Sequence, residues 1–333
     1  MRVVVTGASG NVGTSLVRAL AADGDIEEIV GLARRLPLRN FHETEWQAAN
    51  IEHDDLVPLF RRADCVVHLA WRIQPSHDLP ALRRTNVDGS ERVFRAVAEA
   101  GVPALVYASS IGAYSPGPKD RRVDESWPTE GTPTSFYARH KAEVETLLDR
   151  FQLERPETRV VRLRPGLIFK RSSGEEQRRY FLGPLFPRVL ARRGAVAVVP
   201  NVAGLRVQAV HTRDVAEAYR LAVVGDARGA FNVAAEPILD APTLAQALGA
   251  RVVPVPPAVA RGAIAASWRL RLQPTPPGWL DMGLSVPLMD TTRARDELGW
   301  EPRHSSLEAV REVLSGIAEA EGEPTPPLEP AKR

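Results

Sequence analysis

The sequence predicts an α/β protein in which a doubly wound parallel sheet carries a smaller, mixed C-terminal lobe. Up to residue 165, short β-branched runs alternate with amphipathic stretches, and strand–helix–strand alternation is typical of a parallel sheet covered on both faces. A glycine-rich turn joins the first apolar run to the first amphipathic stretch. Beyond residue 165 the alternation breaks down and prolines cluster, which indicates a less regular lobe.

The hydrophobic pattern places each element in order. In the first part, strands are predicted at 2–6, 27–32, 64–69, 104–109 and 159–164, and helices at 11–23, 54–62, 79–100 and 137–154. In the second part, strands are predicted at 196–199, 206–210, 229–233 and 252–255, and helices at 212–224, 257–271, 291–298 and 306–320. We therefore divide the chain into a first domain at 1–165, a lobe at 166–320 with some segments returning to the core sheet, and a flexible tail at 321–333 that has too few apolar residues to pack.

The composition excludes several classes of protein. The chain has 43 basic and 41 acidic residues, so its total charge gives no reason to expect a nucleic acid partner. No apolar run is long enough to span a bilayer, so we expect no membrane partner. One cysteine, Cys65, rules out an internal disulfide. We expect no signal peptide, a cytoplasmic location and no metal site.

The glycine turn predicts a site for a dinucleotide. Gly7, Gly10 and Gly13 follow a predicted strand and begin a predicted helix, whose first residues include Asn11 and Val12. Glycines in this context allow a tight turn and a close approach of phosphate oxygens to the backbone. The N–H groups at the start of the helix then attract the pyrophosphate.

A second motif predicts proton transfer. Tyr137 and Lys141 are four residues apart, so both project from one face of a predicted helix. A phenol has a pKa near ~10 and is a poor base at neutral pH. We expect the Lys141 ammonium, together with the positive nicotinamide ring of an oxidised dinucleotide, to lower the pKa of Tyr137, so that its hydroxyl exchanges a proton with a secondary alcohol. With the glycine turn, this predicts hydride chemistry at a carbon–oxygen centre.

The end of the second predicted strand indicates which dinucleotide binds. An acidic residue at this position holds the ribose 2′-hydroxyl of NAD, whereas this strand ends in Arg34 and Arg35 with no carboxylate. A guanidinium can pair bidentately with a 2′-phosphate. The sequence therefore favours NADP(H) and leaves NAD(H) open.

The Gly-x-x-Gly-x-x-Gly spacing and the Tyr-x-x-x-Lys motif together resemble the extended short-chain dehydrogenase/reductase family, which includes the NAD-dependent epimerase/dehydratase proteins. The resemblance covers residues 1 to about 318 and implies a Rossmann-type sheet. It implies that Ser110 is the catalytic serine, or Ser109 if the register slips by one, and that Asn86 supports the active site through its position. The cofactor contacts implied by the resemblance are Asn50 and Ile51 at the adenine, Leu69 and Ala70 beneath the nicotinamide ribose, Tyr137 and Lys141 beside it, and Pro165, Leu167 and Ile168 at the carboxamide.

The resemblance implies an NAD(P)-dependent oxidoreductase that acts on a carbonyl or secondary alcohol. A nucleotide-sugar epimerase with tightly bound NAD is the alternative, and a non-catalytic cofactor-sensing protein is favoured less. Dehydration is disfavoured because Ile111 and Gly112 stand where dehydratases have an acidic pair.

The sequence gives less specific information about the residues on the substrate side of the cleft. Trp71, Ile111 and Arg206 are the candidate substrate residues, judged from their loop positions. The arginines at 178–193 form either a solvated helix face or a site for an anionic group. The family also implies a homodimer through helices 79–100 and 137–154.

Overall fold

The fold is taken from a computed structural model that describes residues 1–40, 42–183, 186–192 and 194–330. The strands are β1 (Arg2–Thr6), β2 (Glu28–Ala33), β3 (Glu45–Ala48), β4 (Cys65–His68), β5 (Ala104–Ala108), β6 (Arg122–Val123), β7 (Arg159–Pro165), β8 (Leu167–Phe169), β9 (Val198–Val202), β10 (Val207–His211), β11 (Gly229–Val233), β12 (Ala235–Leu239), β13 (Arg251–Val255) and β14 (Leu288–Met289).

The helices alternate with these strands. They are α1 (Asn11–Ala21), α2 (Val57–Phe60), α3 (Leu79–Arg83), α4 (Gly89–Glu99), α5 (Phe136–Glu154), α6 (Gly174–Gln177), α7 (Thr212–Val224), α8 (Ala241–Leu248), α9 (Pro257–Arg269), α10 (Gly278–Ser285), α11 (Thr292–Leu298) and α12 (Ser306–Glu319). The predicted helix 79–100 is thus interrupted, because a π-helical turn at Arg84–Asp88 separates α3 from α4. Among these helices, none has the length and apolar character to cross a bilayer.

The main sheet has the strand order β11-β7-β5-β4-β1-β2-β3, and all of its pairs are parallel. The predicted doubly wound α/β fold is therefore confirmed. The strand order reverses between β1 and β4, and in such sheets ligands bind at this point, outside the carboxyl ends of the strands. The lobe contributes the small sheets β12-β10-β8 and β13-β9, while β11 returns to the main sheet.

The core explains why β1 is an uninterrupted apolar run. Val3, Val4 and Val5 are all fully buried, and successive side chains of a strand point to opposite faces. Val3 and Val5 belong to the same cluster as Leu16 of α1, whereas Val4 packs in the cluster that contains Phe94 of α4. Burial on both faces is typical of a parallel sheet enclosed by helices.

The segment predicted as a flexible tail packs back on the protein as far as residue 330. Leu328 is 1% exposed, and the Glu323 carboxylate lies 2.8 Å from Nζ of Lys170. The backbone N–H of Leu38 donates to the carbonyl of Pro324. Composition alone does not reveal these contacts, because the partners lie far away along the chain. The remaining residues, 331–333, lie outside the described residues.

Candidate active site

The glycine turn leaves no room for side chains at two of its positions. Gly7 has φ +73°, and a Cβ there would lie 2.7 Å from the backbone nitrogen of Ala70. A Cβ on Gly13 would lie 2.5 Å from the carbonyl oxygen of Gly7. Both contacts are with backbone and too close for any side chain, so these two positions require glycine. The turn thereby fits tightly between the carboxyl ends of β1 and β4.

The start of α1 is open to an anion. Gly10 precedes the helix, and α1 has no acidic residue in its first turn. By helix geometry the N–H groups of Asn11, Val12 and Gly13 have no acceptor within the helix. The Asn11 side chain is fixed by Thr212, whose Oγ1 lies 3.2 Å from Oδ1. These residues can hold a pyrophosphate at a helix N-terminus.

The ends of the neighbouring strands β2 and β3 determine the charge on the adenosine side of the cleft. Arg34 and Arg35 follow β2 and are exposed, and among the described residues neither has an ion-pair partner. Asn50 follows β3, and its Oδ1 accepts a hydrogen bond of 3.0 Å from the N–H of Glu52. Ile51 is buried. The cleft therefore has a cationic rim at the end of β2, where a ribose-binding carboxylate would otherwise stand.

Asn86 organises the segment that follows β4. It is fully buried in the π-helical turn, where its Oδ1 accepts from the Arg72 N–H at 2.7 Å and its Nδ2 donates to the Arg72 carbonyl at 3.1 Å. This pair of bonds holds the backbone beside Trp71. Leu69 and Ala70 come just before it and are half-buried.

On the opposite side of the cleft, β7 ends at Pro165 and leads directly into β8. Pro165 is buried, whereas Leu167 and Ile168 of β8 retain exposed surface. The Ile168 carbonyl accepts a long hydrogen bond of 3.5 Å from Nδ2 of Asn11. The structure thus brings the end of β7 beside the glycine turn.

The structure brings Ser110 and Tyr137 together. Tyr137 lies in the first turn of α5, and the Ser110 side chain lies near enough to its hydroxyl to lower its pKa. Ser110 also accepts a hydrogen bond of 3.0 Å from the N–H of Gly112. Ser109 points elsewhere, since its Oγ donates to Glu145 at 2.5 Å. Of the two candidate serines, it is therefore Ser110 that faces the tyrosine.

The pKa of Tyr137 differs from the expectation. Burial raises it to about 12, and the nearby Ser110 side chain opposes this only in part. Lys141 does not produce the expected lowering, because its Nζ donates to the carbonyl of Ala108 at 2.6 Å and lies 5.9 Å from the centre of the Tyr137 ring. Burial also lowers the pKa of Lys141 well below its usual value.

Aromatic side chains surround Tyr137. The Trp71 ring lies edge-on to it at 6.0 Å and covers the Lys141 ammonium at 3.5 Å. Trp279 of α10 lies 5.0 Å away on a tilted plane, with Phe181 packed edge-on against it. Both indole Nε1 atoms are buried without a hydrogen-bond partner among the described residues. The wall of the site is therefore aromatic.

Ile111 completes this wall from the side of β5. It is buried in one cluster with Met282 of α10, and Tyr137 and Trp279 pack against that cluster. A Cβ on Gly112 would lie 3.0 Å from both the Met282 sulfur and the Tyr137 ring. α10 was not predicted from the sequence, although its Gly-Trp-Leu-Asp-Met segment is the signal that could have indicated an aromatic contact.

Arg206 has a different environment from the one expected of a substrate residue. Its guanidinium donates to the carbonyl of Lys119, and Nζ of Lys119 donates in return to the Arg206 carbonyl at 2.8 Å. Burial, followed by the charge of Arg206, lowers the pKa of Lys119 to about 8. The two side chains thus join two loops, and no contact of Arg206 with Tyr137 is found among the described residues.

The basic segment at 178–193 is not simply a solvated face. Arg178 is buried and lies 2.6 Å from the carboxylate of Glu175, which Arg188 also approaches at 3.2 Å. The buried carboxylate draws these arginines inward, which their spacing in the sequence does not reveal. Arg193 lies outside the described residues.

A buried ionic network beneath the site was missed altogether. Glu145 follows Lys141 by one further helical turn and is fully buried. It pairs with Arg162 and Arg164, which project from the same side of β7, at 2.8 Å each. The i, i+4, i+8 spacing of Tyr137, Lys141 and Glu145 was the available signal, since it places all three on one helix face.

Known proteins resemble this chain in sequence and in fold. The model of the NAD dependent epimerase/dehydratase family matches residues 3–234. The uncharacterized protein Rv2047c of Mycobacterium tuberculosis is 29% identical over 320 residues, which cover 95% of this chain but 30% of that protein. The chain therefore spans about a third of the length of this curated relative.

Two further similar proteins are matched over most of their own length. The uncharacterized protein Rv0501 of M. tuberculosis is 27% identical over 330 residues, which cover 94% of this chain and 83% of that protein. The structure of Thermus thermophilus UDP-glucose 4-epimerase in complex with NAD has a TM-score of 0.70 and 23% identity, covering 96% of this chain and 100% of that one. This likeness shows the fold. With its family model matched over most of its length, the chain belongs to the NAD-dependent epimerase/dehydratase family.

Proposed function

We propose that the protein is an NAD(P)-dependent oxidoreductase that transfers hydride at a carbonyl or secondary alcohol, with Tyr137 as the acid/base group. The observation that carries this proposal is that Ser110 lies beside the Tyr137 hydroxyl, because this places two hydroxyl groups side by side beyond the carboxyl end of β5. Such a pair can bind one substrate oxygen and move a proton to or from it.

The residues present fit a dinucleotide. The backbone at Gly7 and Gly13 is packed too closely for side chains, and the start of α1 offers unpaired N–H groups to a pyrophosphate. When bound, the nicotinamide supplies the hydride acceptor or donor. The residues that would hold the dinucleotide are Gly7, Gly10, Asn11, Val12, Gly13, Arg34, Asn50, Ile51, Leu69, Ala70, Tyr137, Lys141, Pro165, Leu167 and Ile168.

Each side chain then has a separate task. Oη of Tyr137 gives its proton to the carbonyl oxygen during reduction, and its raised pKa keeps it protonated at neutral pH. Oγ of Ser110 hydrogen-bonds the same oxygen as negative charge develops there. Lys141 would bind the nicotinamide ribose beside the phenol, while Trp71 and Trp279 exclude water from one side of the reacting centre.

We further propose NADP(H) as the preferred cofactor. The support is the exposed, carboxylate-free rim formed by Arg34 and Arg35 after β2, which suits a 2′-phosphate better than a free hydroxyl pair. NAD(H) is the alternative, and the structural neighbour from T. thermophilus was solved with NAD.

Epimerisation of a nucleotide sugar is the second candidate, because that neighbour is a UDP-glucose 4-epimerase. The aromatic wall around Tyr137 and the engagement of Arg206 with Lys119 favour the oxidoreductase, since neither offers a free cation to a diphosphate. A simple measurement distinguishes the two functions. An epimerase retains absorbing cofactor through gel filtration and converts UDP-glucose without net NADPH loss. A reductase consumes NADPH stoichiometrically with a carbonyl substrate.

The Tyr137→Phe substitution tests the proposal directly. We expect the variant to bind NADPH as the wild type does but to lose turnover by a factor of roughly 100 or more, because the proton donor is gone. Binding is followed by protein-to-NADPH fluorescence energy transfer, which also shows that the variant is folded. Unchanged turnover would refute the role of Tyr137, and cofactor binding with no turnover on any carbonyl compound in the wild type would favour a cofactor-sensing protein.

A further inference from the structure

Helix α9 has an apolar stripe that no part of the described protein covers. None of its 13 residues is buried. Val259, Ala263 and Ala266 follow one another at intervals of four and three residues, and Leu270 continues the series just beyond the helix end. Side chains with this spacing lie on one face. Val259 is 60% and Leu270 is 69% exposed, so the stripe points outward.

The opposite face of α9 attaches the helix to the loop between β4 and α3. Trp268 stacks on His77 with ring centres 4.4 Å apart. Nε2 of Gln273 donates to the carbonyl of Ile264 at 3.3 Å and to Oγ of Ser267 at 3.2 Å. The helix is therefore held by its polar and aromatic side, and its orientation fixes the apolar stripe away from the protein.

All charged residues in the stretch of sequence that contains the stripe are basic. No acidic residue stands between Asp240 and Asp281. Four exposed arginines occur in this interval, namely Arg251, Arg261, Arg269 and Arg271. Among the described residues only Arg261 of these four forms an ion pair, at 2.8 Å from Asp281. The remaining guanidinium groups are free to meet negative charge outside the chain.

We propose that α9 docks on the surface of a lipid bilayer that contains anionic lipids. Amphipathic helices with apolar residues on one side and basic residues beside them lie in the membrane interface, with the apolar face in the boundary between headgroups and acyl chains. Val259 and Leu270 would enter this boundary, and the arginines would contact the anionic headgroups. Such docking is peripheral and needs no membrane-spanning helix.

The chain just beyond the helix adds one more exposed apolar residue. Leu272 follows the helix and is 57% exposed. A second copy of the chain is a poorer occupant than a membrane, because pairing two α9 helices would bring two sets of arginines together. Charge complementarity therefore selects an anionic surface.

The proposal is tested by sedimentation of the 333-residue chain with sucrose-loaded vesicles. We expect binding to phosphatidylcholine vesicles that contain about 30% phosphatidylserine, weaker binding to pure phosphatidylcholine, and loss of binding as salt is raised from about 0.1 to about 0.5 M. Leu270→Gln should reduce the partition coefficient roughly ten-fold, and Arg269→Gln roughly five-fold. Because both side chains are exposed, neither change should affect folding.

Two matched substitutions on α5 serve as controls. Leu153 is 83% exposed and Arg150 is also exposed, so Leu153→Gln and Arg150→Gln make the same chemical changes away from α9. They should leave vesicle binding unchanged. The proposal is overturned if the wild type does not sediment with anionic vesicles, or if the α9 variants bind as well as the controls. It is also overturned if the protein is a dimer that Leu270→Gln converts to a monomer without any vesicle binding.

Discussion

Oγ of Ser109 donates a hydrogen bond of 2.5 Å to Oε1 of Glu145, a carboxylate buried one helical turn beyond Lys141. Burial alone would raise the pKa of Glu145, but Arg164 and Arg162 lower it to about 2. The ionised carboxylate therefore links β5, α5 and β7 directly beneath the segment that carries Ser110. We infer that it positions this segment.

Removing the charge of Glu145 should therefore be costly. In Glu145→Gln, Arg164 stays buried with no carboxylate partner and Arg162 keeps only the exposed Asp149, so we expect the free energy of unfolding to fall by about 3–5 kcal/mol. Urea unfolding measures the change. Asp149 contacts Arg162 from an exposed position on the same helix, so Asp149→Asn should cost only about 0–1 kcal/mol. If both variants lost the same free energy of unfolding, the buried ion pairs of Glu145 would stabilise the protein no more than the exposed pair of Asp149.

The raised pKa of Tyr137 predicts different pH dependences for the two directions of hydride transfer. With a pKa of about 12, the phenol is protonated across the neutral range, so carbonyl reduction should be nearly independent of pH between about 6 and 9. Alcohol oxidation needs the ionised form, whose fraction rises about ten-fold per pH unit below the pKa. We therefore expect kcat/KM for oxidation to rise with pH. A flat oxidation profile would contradict the assignment of Tyr137 as the base.

The cofactor proposal depends on Arg34. Arg34→Ala should weaken NADPH binding by roughly 10- to 100-fold, as expected for a lost charge-assisted hydrogen bond, while NADH binding changes little. The ratio of the two dissociation constants is the measurement. Arg150→Ala, an exposed arginine on α5, controls for a general change in charge. A wild-type protein that binds NADH at least as tightly as NADPH would refute the preference for NADP(H).

The C-terminal segment should contribute to stability through one ion pair. Nζ of Lys170 is buried, and it donates to Thr14 at 2.7 Å and to Glu323 at 2.8 Å. We expect Glu323→Gln to lower the free energy of unfolding by about 3 kcal/mol, because the ammonium would lose its counter-charge. Thermal unfolding followed by circular dichroism measures this effect. Glu329→Gln, in the same segment, is the control and should leave the midpoint unchanged.

Much of the main sheet could be predicted because its signal is local. The five predicted strands of the first domain agree with β1, β2, β4, β5 and β7 to within one residue at each end. β3 was missed because Trp46 is its only large apolar residue, and this edge strand has little buried surface to impose an apolar pattern. The flexible tail was expected from composition, which gives no information on distant partners such as Lys170.

In the candidate site, too, the sequence indicates residues in local motifs but not contacts between distant parts of the chain. Gly7, Gly13, Ser110, Tyr137 and Lys141 occur in short motifs, so the sequence could indicate them. The contact of Trp279 with Tyr137 joins residues far apart in the chain, and no spacing rule relates them. The direction of the Tyr137 pKa shift also depends on tertiary burial, which the motif does not contain. The homodimer and the cytoplasmic location stay predictions.

Strand β11 comes from the second half of the chain yet forms the outer edge of the main sheet beside β7. A fragment that stops at Pro165 would leave the hydrogen-bonding groups of β7 without this neighbour, and such bare edges invite aggregation. Exchange of the lobe between family members therefore requires a chimaera that keeps Gly229–Val233 with the first domain. The two halves of this chain are interwoven through this strand pair.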